Sequence, residues 1–241
     1  MEAPEGTVWP GGRRRTLVWR LFVGGPEGNR RLTATTGAVL LVLLAAEGAT
    51  LIAIRPLLSV HIFLGVLLIP PVALKLASTG YRFARYYLRD AAYRLEGPPS
   101  TLMRLLVAPL VVASTLGLFA SGIALLAVGP GGGIVLGIHK AAFLVWFAAL
   151  SAHVLAHVLR VPQLVLAEFG DAARKTGVPL RRFVVAAALV AGVTLAIATV
   201  PLARPWLHWN QSVREDTRVL VTRVAASSPC SSRAAERVDG I

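Results

Sequence analysis

The chain has 241 residues, is 55% hydrophobic and 15% charged, and has a mean hydropathy of +0.66. Those values exclude a disordered chain and fit an integral membrane protein. The formal net charge of +13 does not point to nucleic acid, because the basic residues sit between long apolar runs. Anionic lipid headgroups are the expected partner.

Residues 1–32 read as a basic cytoplasmic segment. Arg13-Arg14-Arg15 superficially resembles a twin-arginine signal, but Arg20, Gly24, Gly25, Pro26 and Glu27 break the apolar core that should follow. Sustained apolar sequence starts only near Thr33, too late for a signal peptide. Five stretches then reach the ~20 residues needed to cross ~30 Å of hydrocarbon. They run from about Thr33 to Ile54, Pro56 to Ser78, Leu102 to Val128, Ile134 to Leu159 and Phe183 to Leu202. None alternates, so each is expected to be a helix, and the fold class is all-α.

Loop charges suggest an orientation. The N-terminal segment, the loop with Arg82, Arg85, Arg89 and Arg94, and the loop with Arg160, Arg174, Lys175, Arg181 and Arg182 all fall on one side if the N-terminus is inside. The opposite side holds Arg55 and the glycine turn at 129–133. This predicts a five-helix bundle, N-in and C-out, at 33–203. A basic, loosely ordered extracytoplasmic tail is expected at 204–241. Two segments read as lying flat at the interface: 19–23, and 80–94 with its Arg82–Arg85–Arg89 stripe and its aromatic residues. His208, between Trp206 and Trp209, reads as interfacial. Pro70-Pro71 should kink the second helix. Cys230 lies alone in the tail, so no internal disulfide or Cys–His metal cluster is available.

The fourth stretch carries three of the five histidines. His139 and His157 lie five helical turns apart, and His153 lies ~40° off the same line, so all three share one face. Histidines inside a bilayer face a bundle interior, a cofactor or a proton path. His61 lies about five residues after the second helix begins, and His139 about five after the fourth begins. The two helices run in the same direction, so the rings should reach similar depth. Such a pair can clamp a metalloporphyrin. Gly65 beside His61, and Ser114, Gly117 and Ser121 on the third helix, offer close approach. His153 lies ~21 Å from His139 along the axis and suits a second site, but Lys75 stands where its partner histidine would be. His153 or His157 could instead meet a quinone or relay protons, and His61 could pair with His153 in another register. Simple interhelical hydrogen bonding is the plainer alternative for all four. Glu47 is expected to pair with Lys140, to hydrogen-bond an imidazole, or to accept a proton beside a quinol. Lys75 is expected to snorkel to the interface or to contact a haem propionate. Arg82 and Arg85 either anchor the inner face or dock acidic groups of a cofactor or partner.

The stretches VHIFLGVLL at 60–68, PPVALKLASTGYRFARYY at 70–87 and GIHKAAFLVW at 137–146 resemble bacterial cytochrome b561-like and ferric-reductase-like transmembrane domains, including actinobacterial members. The resemblance covers roughly residues 33–160. It implies haem b in a bacterial plasma membrane, electron transfer, and a redox partner subunit or quinone, with His61, His139 and His153 as iron ligand candidates. Lys75 departs from that pattern at the second haem. There is no dinucleotide fingerprint, phosphate loop or flavin domain, so an electron-transfer subunit is expected rather than a complete enzyme. The alternatives are a cofactor-free protein with a histidine–Glu47 proton or metal-ion path, and a scaffold subunit.

Overall fold

The computed structural model describes residues 25–88, 106–157 and 178–226, and every regular element in them is helical. In chain order these are α1 (Gly25–Thr50), a 3₁₀ turn (Leu51–Ala53), α2 (Leu58–Leu67), α3 (Ile69–Tyr87), α4 (Ala108–Val128), α5 (Gly133–His157), α6 (Val178–Ala198) and α7 (Val200–Ala226). Five spans, with α2 and α3 counted as one, are long and apolar enough to cross a membrane. The chain is a multi-pass membrane protein by that measure. The flat segment expected at 19–23, the loop arginines at 89, 94, 104, 160 and 174, and Cys230 lie outside the described residues.

Four boundaries differ from expectation. Helix α1 starts at Gly25 and α6 at Val178, so Arg30, Arg31, Arg181 and Arg182 are helical. Hydropathy falls at those charges, but the backbone ladder does not depend on side-chain polarity. Residues 80–87 continue α3 without a break rather than forming a separate surface helix. The tail expected to be loose at 204 is helical to Ala226. Pro201 falls in the first turn of α7, where proline costs no helical donor, whereas Pro205 lies inside the helix and removes one.

α1 packs along α2 and α3, α6 packs on both, and α4 pairs with α5 as an antiparallel hairpin. The hairpin turns at Gly129, whose φ of +74° favours glycine. Serines and threonines inside α4 give their protons to carbonyls one turn back: Ser114 to Leu110, Thr115 to Val111 and Ser121 to Gly117. A polar side chain is thereby tolerated in an apolar helix. The small apolar core joins Val66 and Leu67 of α2 to Ala196 of α6, with Leu43, Phe63, Ile69 and Leu126 against it.

The double proline shapes this core. Helix α2 yields to α3 at Leu68, so Pro70 and Pro71 fall in the first turn of α3. Pro71 has no N–H to offer the Leu67 carbonyl four residues back. Gly192 of α6 lies directly against that carbonyl, so close that a methyl group on Gly192 would collide with it. Backbone contact of this kind, with Cα–H facing a free carbonyl, needs glycine. Gly192→Val is expected to lower the thermal midpoint in detergent, with a cost of about 1–3 kcal/mol. Gly117→Ala, whose added methyl meets open space, is expected to leave it unchanged or slightly raised. A midpoint for Gly192→Val equal to that of the parent would refute the contact.

Candidate functional site

The residues that face the α2–α3 side of α1 recur at alternating steps of four and three: Asn29, Thr33, Thr36, Leu40, Leu43, Glu47 and Thr50. All are buried or half-buried. The seam is apolar in the middle and polar at both ends, and each end meets one of the ionisable residues flagged by the sequence.

At the end nearer the 3₁₀ turn, Glu47 Oε1 lies 2.9 Å from His61 Nδ1. Thr50 Oγ1 is also 2.9 Å from that nitrogen. The Thr50 hydroxyl donates to the Glu47 carbonyl. Both oxygens facing Nδ1 are therefore acceptors, which assigns the ring proton to Nδ1. Gly65, one turn below His61, faces this carboxylate, and a methyl group there would meet Glu47 Oε1 at 3.5 Å, an ordinary contact. Glu47 thus takes the imidazole and not Lys140, which is exposed on α5. Its second oxygen, Oε2, is buried and accepts no hydrogen bond among the described residues.

His139 is built the same way with weaker groups. Its Nδ1 is 3.0 Å from Ser121 Oγ on α4. Ser121 gives its own proton to the Gly117 carbonyl at 2.8 Å, so it accepts from Nδ1–H. Gly122 leaves space for the ring, with His139 Cε1 3.4 Å from the position of an added methyl group. His61 and His139 lie within electrostatic reach of each other. One turn beyond His139, Phe143 packs with Trp146 and Phe147 at centroid distances of 6.2 and 5.8 Å. Trp146 Nε1 donates to Thr115 Oγ1 at 3.0 Å.

Sequence reasoning placed His61 and His139 together but missed Thr50, Gly122 and the role of Ser121. Gly117, expected at a close approach, points outward. His153 is half-buried on the same side of α5, ~21 Å along the axis from His139. His157 is the last residue of α5, and its side chain lies outside the described set. His208 is exposed on α7.

At the other end of the seam, Lys75 does not snorkel. Its Nζ turns inward to the Thr33 carbonyl at 2.6 Å, over Gly37, where an added methyl group would stand 2.8 Å from Nζ. The bare glycine face is shorter to reach than water, and the carbonyl is a ready acceptor. Ser78 joins this cluster through Thr33 Oγ1 at 3.0 Å and Asn29 Nδ2 at 3.1 Å. Arg85 stacks 5.9 Å over the Tyr81 ring, and Arg82 is half-buried beside it. Lys75, Arg82 and Arg85 lie two turns or more beyond the α2–α3 junction, so the structure does not bring them to the His61–His139 pair.

No protein-family model, curated protein or solved structure matches the chain.

Among the described residues the Lys75 ammonium has one carbonyl acceptor and no carboxylate, against a desolvation cost of several kcal/mol. Lys75→Met, which keeps the stem and removes the charge, is therefore expected to raise the thermal midpoint. Gly37→Leu is expected to lower it by closing the slot. A lower midpoint for Lys75→Met would mean that the charge is matched by more than the Thr33 carbonyl.

Proposed function

We propose that this chain is a b-type haem membrane subunit, similar to the cytochrome b561-like and ferric-reductase-like transmembrane domains of bacterial plasma membranes. It carries electrons between a membrane quinone or partner oxidoreductase and the opposite side of the bilayer, with its N-terminus inside. One observation carries this reading. Both His61 and His139 are fastened through Nδ1 to side chains of a neighbouring helix, with the Leu118 carbonyl also in hydrogen-bond reach of the His139 ring, and among the described residues no side chain hydrogen-bonds Nε2 of either ring.

That is how metal-binding histidines are held: the outer nitrogen is fixed by a carboxylate, hydroxyl or carbonyl, and the inner one keeps its lone pair. The number of ligands favours a porphyrin over a bare ion. Among the described residues there is no group of three or more His, Cys, Asp or Glu side chains able to hold a metal. A structural zinc site needs four protein ligands and a catalytic one three. An iron already held by four porphyrin nitrogens needs two. When bound, haem b would supply one-electron redox chemistry. The residues of the chain fix the two imidazoles, exclude water through Phe143 and Trp146, and set the local polarity.

The Glu47 carboxylate makes His61 the more electron-rich of the two, which would favour ferric iron. Haem potentials respond to such hydrogen bonds. The test is a dithionite-reduced minus oxidised spectrum of the purified protein, with pyridine-haemochrome quantitation. One haem b per chain is expected. His61→Ala and His139→Ala should lose it, and His153→Ala should keep it. Glu47→Gln should keep it while moving the midpoint potential upward by on the order of tens of millivolts. Protein from haem-replete cells that contains no haem would reject this reading. The proton- or ion-path alternative would then stand on the buried, unpartnered Oε2 of Glu47.

A further inference from the structure

Helix α7 follows α6 with a single residue, Thr199, between them. The hydrogen bonds run on through the join: Thr199 N–H donates to the Leu195 carbonyl, and Leu202 N–H to the Thr199 carbonyl. The start of α7 therefore moves with α6, which Gly192 seats on the Leu67 carbonyl of α2. One seam of α7 is buried, at Ala203, Trp206 and Asn210. Their steps of three and four put all three on one helical face. A buried indole N–H or carboxamide must find an acceptor, and each finds a backbone carbonyl on a different part of the bundle. Trp206 Nε1 donates to Leu125 at the end of α4, and Asn210 Nδ2 to Arg55 in the corner between α1 and α2, both at 2.7 Å.

The two carbonyls stand close to the two histidines. Leu125 is one turn beyond Ser121, which holds the His139 ring. Arg55 lies in the chain between Thr50 and His61, which are hydrogen-bonded to each other. Trp206 and Asn210 are themselves one turn apart, ~6 Å along the α7 axis. One helix thus grips both the half of the bundle that carries His61 and the half that carries His139. The α4–α5 hairpin depends on such a grip, because its two helices pack chiefly on each other. Leu126 also joins α4 to the apolar core, but dispersion contacts are less directional than a hydrogen bond to one carbonyl. We propose that α7 is a clamp that sets the spacing of His61 and His139, with Trp206 and Asn210 as its positioning residues. Each acts through the backbone that carries a ring. The bearing of the clamp on haem rests on the proposed function, whereas the spacing itself does not. With either grip lost, the hairpin tilts away from α2 and the rings part.

Two spin labels on the full-length chain test this, at Val42→Cys on α1 and Leu144→Cys on α5, in a Cys230→Ser background. Both sites are exposed, at 70% and 67%. Double electron–electron resonance reads the distance between them with or without haem. Trp206→Phe keeps a ring against Trp209 and removes only the N–H. It and Asn210→Leu are each expected to show a longer-distance population, raised roughly five- to tenfold over the parent, the worth of one hydrogen bond. Asn210→Gln, which keeps the donor, and Trp209→Phe are expected to match the parent. In haem-loaded protein, Trp206→Phe and Asn210→Leu are expected to bind carbon monoxide faster by the same factor, because an axial imidazole leaves more often. Unchanged distances in Trp206→Phe and Asn210→Leu would overturn the clamp. So would equal broadening in Trp209→Phe, which marks general loosening, or a moved hairpin with unchanged carbon monoxide binding in haem-loaded protein. The expected distances in a protein that takes up no haem would uphold the clamp and reject the haem reading alone.

Discussion

A carboxylate inside an apolar helix must find a partner within the bundle, and the partner that Glu47 finds fixes much of this fold. Placing Glu47 on His61 sets the rotation of α1 against α2, because only one line of α1 can face that histidine. Along the same line, three turns and more toward the N-terminus, come Thr36, Thr33 and Asn29. Of these, Thr33 and Asn29 meet Lys75 and Ser78 in the same rotation. The apolar stretch between the two polar ends packs Leu43 against Val66 and Leu67. Polar pairs specify the register, and dispersion contacts between them hold it.

The remaining helices attach through backbone more than through side chains. The carbonyl freed by Pro71 is met by Gly192, which brings α6 to the α2–α3 junction. The carbonyl of Leu125 accepts both from Gly129 N–H at 3.0 Å and from Trp206. That second bond matters because α4 and α5 pack chiefly on each other. Only 6% of the most apolar α5 window is buried, against 22% for the α2–α3 and α6 windows. By touching α2, α4 and α6, α7 helps tie the α4–α5 hairpin to the other helices. The side chains that make those ties, Trp206 and Asn210, belong to a segment that sequence alone suggested was loose.

Much of this was legible. Hydropathy found the five spans because an apolar run of that length has few other folds. It misjudged their ends because a window average drops at Arg30 or Arg181 while the helical hydrogen bonds continue. The polar partners were legible in principle through hairpin geometry. Reflecting the chain about Pro130 sets Ser121 and Gly122 opposite His139, and Thr115 opposite Trp146. Reflecting it about Ile54 or Arg55 sets Glu47 opposite His61 and Thr33 opposite Lys75. The same operation would have excluded snorkelling by Lys75, since its opposite position on α1 is flanked by Gly37. What could not be read was α7. Its seam is apparent only once Trp206 and Asn210 are known to be bound, because its composition is mixed and its prolines suggest a break.

Under the proposed function the two histidines are not equivalent, and the difference has a direction. His61 is backed by a carboxylate and a hydroxyl, and His139 by a hydroxyl alone among the side chains. A charge-assisted hydrogen bond is shorter and roughly twice as strong as a neutral one. His61 is therefore held more firmly in ring orientation and donates more strongly through Nε2. His139 sits on the hairpin with less packing around it. Of the two, it has more freedom to swing away, on the side lined by Phe143 and Trp146. Any opening of the site to a small molecule would then begin at α5, where the aromatic residues stand, and not at α2, where Glu47 and Thr50 hold the ring in place.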